Sequence, residues 1–76
     1  MEIGDFVAKM AVQFDDTDAS IFTPQTKFKE LDEWSSLIAL SVIAMVDEAY
    51  KVRLKGADVR QSTTIEDLFN VVKERV

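Results

Sequence analysis

The sequence contains no cysteine and no histidine. The first absence rules out disulfides and thiolate metal sites. The second removes the usual general base, the commonest zinc ligand and every Ser-His arrangement, so a conventional self-contained hydrolase is not expected. Long hydrophobic runs are also missing. The longest nearly apolar stretch, Leu37 to Val46, is shorter than the roughly 20 residues a membrane-spanning helix needs. The first residues carry Glu2 and Asp5 and show no signal-peptide core, which makes the cytoplasm the expected address. Positive charge is scarce: 14 acidic against 9 basic residues leave a net charge of −5. That balance argues against nucleic acid and against insertion into or attraction to anionic membranes, and favours basic protein partners.

What is present fits one domain spanning residues 1–76. A chain this short buries only about 60% of the surface it exposes when unfolded. A hydrophobic fraction of 47% is still ample for one core.

Ile3, Phe6, Val7, Met10, Ala11 and Phe14 recur at the spacing of a single helical stripe. Asp15, Asp16, Thr17 and Asp18 then end the pattern, because such residues compete for backbone hydrogen bonds and favour turns. A connection follows from Asp15 to about Ser35. It holds Pro24, the only proline, which biases Thr23 away from helical geometry. Ile21, Phe22, Phe28, Leu31 and Trp34 are spread through it without helical period, so it is expected to be an ordered loop lying across the domain. A calcium-loop register beginning at Asp16 fails, since it needs glycine where Ile21 stands and glutamate where Lys27 stands.

A second helix is expected from Ser36 to about Lys51, apolar nearly all round and therefore central. Lys51 to Lys55 reads as an extended connector, and Ala57 to Arg60 as one helical turn. In the last helix, Ile65, Leu68, Phe69, Val72 and Val76 form the buried stripe. Thr63 with Glu66 matches a capping box at its start, and Lys73 and Arg75 suit its negative end. The expected fold is all-α: a small antiparallel bundle of three long helices and one short one, with a long ordered first loop.

The stretch Leu31–Leu37 sets two hydroxyls, Ser35 and Ser36, where an acidic loop turns into the most apolar helix. A helix start carries unpaired N–H groups and a partial positive charge. A serine there either caps the helix or holds an anion such as a phosphate.

Several residues together resemble the acyl carrier proteins, the phosphopantetheine-bearing carrier family. They are Phe28-x-Glu30, then Ser36-Leu37 opening an apolar helix, then Thr63-Thr64-Ile65-Glu66-Asp67-Leu68 opening the last. The likeness runs over essentially the whole chain. It implies that Ser36, directly before the leucine, takes 4′-phosphopantetheine from coenzyme A, with Ser35 as the rival position. It further implies a non-catalytic monomer that carries acyl groups as thioesters, in fatty acid or related acyl-chain synthesis. Its partners would be a phosphopantetheinyl transferase and acyl-chain synthesis or acyltransferase enzymes, met through Asp32, Glu33, Trp34, Leu37, Ile38, Asp47 and Glu48. No resident metal is implied. Phe6, Phe28, Met45, Leu54, Val59, Ile65 and Phe69 would line an expandable core sheltering the acyl chain. The chain departs from the family's Asp-Ser-Leu, having Ser35 where the aspartate belongs, and has Ile38 and Ser41 where acids are usual. Two other readings stand beside this one. One is an aminoacyl or peptidyl carrier, the other a helical adaptor in which the two serines only cap.

Overall fold

The computed structural model describes residues 1–76 and is all-helical. Helix α1 is Ile3–Val12, α2 is Ser36–Tyr50, α3 is Gly56–Gln61 and α4 is Ile65–Arg75. Three are long and one short, as expected. The first loop is ordered and contains two short 3₁₀ turns, Ala19–Ile21 and Phe28–Glu30.

Helices α1 and α4 build the centre. The α1 stripe buries Phe6 and Met10, and Phe14 is buried just beyond the helix end. Ile65, Leu68, Phe69 and Val72 of α4 are buried against them. Phe6 and Phe69 meet edge to face with centroids 5.6 Å apart, a favoured aromatic geometry.

The expectation that α2 is central needs correction. Only Val42 and Val46 of this helix are fully buried, while Leu37 and Leu40 are 74% and 63% exposed. A domain of this size has too few neighbouring elements to surround a helix that is apolar on every side. The capping box also moves by one residue. Thr64 is the N-cap of α4: its Oγ1 accepts from the Asp67 amide at 3.1 Å. In return, Asp67 Oδ2 accepts from the amides of Thr63 and Thr64, both at 3.0 Å. Ile65, wholly buried as the first residue of α4, fixes that register.

Helix α2 ends at Lys51, which adopts the left-handed conformation (φ 59°, ψ 32°), a position glycine more often fills. The connector beyond forms neither helix nor strand, and its Val52 and Leu54 are buried in the core. Helix α3 is longer than the single turn expected and buries Val59. The first loop is tied to the far end of the chain. The amides of Ile65 and Glu66, unpaired within α4, donate to the carbonyls of Thr26 and Pro24 at 3.1 and 2.9 Å. Phe22 and Phe28 of this loop are buried, whereas Ile21 is exposed and does not contribute to the core. No helix is long and apolar enough to cross a membrane.

Candidate functional site

The two serines at the head of α2 do different things. Ser35 is the N-cap, with extended backbone (φ −156°, ψ 170°). Its Oγ accepts from the Ile38 amide at 3.3 Å, and its carbonyl accepts from the Ala39 amide at 3.0 Å. Capping is a role that aspartate also fills well. Ser36 is the first helical residue, exposed, and its hydroxyl makes no hydrogen bond within the protein.

The approach to these serines is held from below. Trp34 is half-buried, stacked near Phe14 (centroids 6.3 Å, 27° between planes) and edge-on to Phe28 at 5.3 Å. Its amide donates to the Leu31 carbonyl at 3.0 Å. Glu33 reaches back to the turn after α1, accepting from the amides of Asp15 (2.7 Å) and Asp16 (3.0 Å) and from the Thr17 hydroxyl (2.7 Å). These bonds, the Thr17 hydroxyl foremost, hold its carboxyl below the usual range because they favour the charged form.

The expected docking residues therefore fall into three groups. Asp32 and Leu37 are exposed, Leu37 directly after Ser36 and Asp32 in a separate groove at the first loop. Asp47 and Glu48 are exposed as well, but Asp47 lies about 16 Å along α2 from Ser36 at the helical rise. The structure does not bring that acidic pair to the serine. Glu33 and Trp34 are engaged inside the protein, and Ile38 is half-buried against the core.

A groove of about 380 Å³ opens beside Ser36, between α2 and α3. Ser36, Ala39, Leu40 and Ile43 form one wall and Gly56, Val59 and Arg60 the other, with Lys29 and Trp34 at the loop end. Of the seven residues expected to line an expandable core, only Val59 reaches this groove. Met45, half-buried, lines a separate groove of about 520 Å³ between α1 and α2. The other five are buried in the core and line no groove.

Lys29 and Arg60 are the site residues that sequence reading missed. They come from the first loop and from α3, and only the fold brings them together: the Lys29 ammonium donates to the Arg60 carbonyl at 2.5 Å. The one available signal was Gly56 followed by Arg60 a helical turn later, which sets both on the same face.

Fold and site together define a small all-helical domain with a free hydroxyl at the head of its longest helix. No family model matches the chain, and neither a curated protein nor a solved structure matches it.

Proposed function

We propose that the chain is an acyl carrier protein that bears 4′-phosphopantetheine on Ser36 and serves fatty acid or related acyl-chain synthesis. One observation carries the reading: Ser35 takes the capping duty, which leaves the Ser36 hydroxyl exposed and unbonded. The residues fit the group, because that hydroxyl opens on an apolar-walled groove. When attached, the arm supplies the thiol that this cysteine-free chain lacks, on which acyl groups are held as thioesters.

The chain's own residues accept and position. Ser36 Oγ would form the new O–P bond as the pyrophosphate linkage of coenzyme A breaks, and adenosine 3′,5′-bisphosphate would depart with the electron pair of that linkage. The serine proton would pass to the separate transferase that brings the catalytic groups. Ser35 holds the first turn of α2 in register, so Ser36 is presented at a fixed place. Trp34 and Glu33 brace the loop leading to it. On this reading the chain is not itself an enzyme and acts as a monomer in the cytoplasm.

Its partners are the phosphopantetheinyl transferase and acyl-chain synthesis or acyltransferase enzymes. Helix α2 has no acid in its first turn and exposes Leu37 and Leu40 there. That favours an apolar docking patch near Ser36, with Asp47 and Glu48 offering charge at the far end. Losing charge from the docking face lowers the association rate more than the affinity.

Intact mass after incubation with a phosphopantetheinyl transferase and coenzyme A tests the reading. Wild type and Ser35→Ala each gain one arm, and Ser36→Ala gains none. A gain on Ser36→Ala that Ser35→Ala loses moves the site to Ser35. No gain on any of them, while a control carrier is modified, leaves the helical adaptor.

A further inference from the structure

The groove beside Ser36 differs from the others in charge. Its lining holds two cations, Lys29 and Arg60, and no carboxylate, in a chain where acids outnumber bases 14 to 9. The α1–α2 groove sets Glu48 against Lys9. The groove at the first loop carries Asp16, Asp18, Asp32 and Glu33 without a base. The remaining one, at the Phe14 end of α1, is uncharged.

Neither Lys29 nor Arg60 has a carboxylate at ion-pair distance, the one ion pair of the chain being Asp58–Arg75. Two like charges thus share an apolar-walled groove with no counter-charge from the protein. An anion entering it is favoured by both.

The positions of the two side chains point the same way. Lys29 is half-buried, and its bond to the Arg60 carbonyl leaves two of the three ammonium donors for a ligand. The Arg60 guanidinium folds back over Gly56. A Cβ on that glycine would stand 3.0 Å from Arg60 Nη1, closer than nearly all such contacts, so the missing side chain makes room for the guanidinium beside the groove. A planar guanidinium fork matches phosphate oxygens, and an ammonium adds a compact point charge.

We propose that Lys29 and Arg60 form an anion seat in the α2–α3 groove, which receives the phosphodiester joining Ser36 to its arm. This rests on Ser36 carrying that arm. The seat draws the arm toward α3, along the α2 wall at Ala39 and Ile43, instead of letting it trail into solvent.

The test is NMR of the apo and holo protein, following the Arg60 side-chain N–H and the ³¹P signal of the diester. Attachment of the arm shifts the Arg60 signal. Arg60→Gln moves the phosphorus signal toward that of a solvated diester, and Gly56→Ala, which displaces the guanidinium, does so to a smaller extent. Arg53→Gln, exposed and off the groove, leaves it in place. Raising salt from about 0.1 to about 1 M cuts the screening length from about 10 to about 3 Å and reproduces the Arg60→Gln shift. An Arg60 signal indifferent to the arm, or a phosphorus signal indifferent to Arg60→Gln and salt, overturns the proposal.

Should the mass experiment show no arm on Ser36, the carrier reading fails separately. The apo chain is then titrated with inorganic phosphate. Shifts at Arg60 and Lys29 that Arg60→Gln abolishes keep the seat for a free phosphate ester and overturn its tethered occupant. An absence of shifts overturns the seat itself.

Discussion

The Arg75 guanidinium closes on both carboxylate oxygens of Asp58, each at 2.8 Å, and so ties the last turn of α4 to the start of α3. The same Asp58 carboxylate accepts from the Lys55 amide at 2.8 Å. The Arg75 bonds first, and that amide second, pull its pKa from 3.8 to about 2. A carboxyl with a depressed pKa stabilises the fold fully above its unfolded value, and that contribution is lost as pH falls through the folded one. With Arg75 43% exposed, solvent screening reduces the effect to about 1 kcal/mol. Asp58→Asn should therefore lower the denaturation midpoint by a constant amount well above pH 3.8. The gap to wild type should close as pH approaches about 2. A gap unchanged over that window contradicts the assignment.

Ser35 and Ser36 should separate stability from modification. Removing a serine cap costs about 0.5–2 kcal/mol, and the long 3.3 Å bond places Ser35→Ala toward the lower end. Ser36→Ala, which breaks no bond, should stay within about 0.5 kcal/mol of wild type. Ser35→Asp should keep the cap and add favourable charge at the positive end of α2. Thermal melts of the three variants check this ordering.

Glu33 should control the turn after α1. In Glu33→Gln the acceptor charge for the Asp15 and Asp16 amides is gone, so both should exchange with deuterium faster. Amides inside α1 should keep their protection. In wild type the same loss should appear on acidification, at a pH below the ordinary glutamate range, because the Glu33 carboxyl is held down by its donors. Protection of Asp15 and Asp16 that is indifferent to both changes would mean that the clamp does not order the turn.

Tyr50 offers a stabilising substitution. Its ring packs against Phe6 at 5.9 Å, but its hydroxyl is buried without a hydrogen-bond partner. Burial raises its pKa, with Asp5 adding to the effect, as expected for a phenol cut off from water. An unpaired buried polar group is a liability of about 1–3 kcal/mol, so Tyr50→Phe should raise the melting temperature. A lower melting temperature would show that the hydroxyl has a partner in solution.

The stripes of α1 and α4 were legible because each has one apolar face, and one face leaves no choice about which way a helix turns; only Val76, expected in the α4 stripe, falls past the helix end and is exposed. The head of α2 was legible too, since Ser36 begins a nearly apolar run broken only by Ser41. The burial of α2 was not, because residues apolar on every side give the period nothing to report. Thr63 and Thr64 offered two capping registers, and the choice was made by the burial of Ile65, a tertiary fact. Glu33 read as a surface acid because its partners, Asp15 to Thr17, lie on another element. Lys29 and Arg60 escaped notice for the same reason.

The amides of Ile65 and Glu66 find their acceptors around Pro24, and this shapes how the molecule comes together. Helical domains commonly assemble fast from stretches adjacent in the chain. Here the start of the final rod is completed only by a strap far earlier in the chain, a long-range closure that costs more chain entropy than contacts between neighbours do. A nick near Pro24 would loosen a helix remote from the cut.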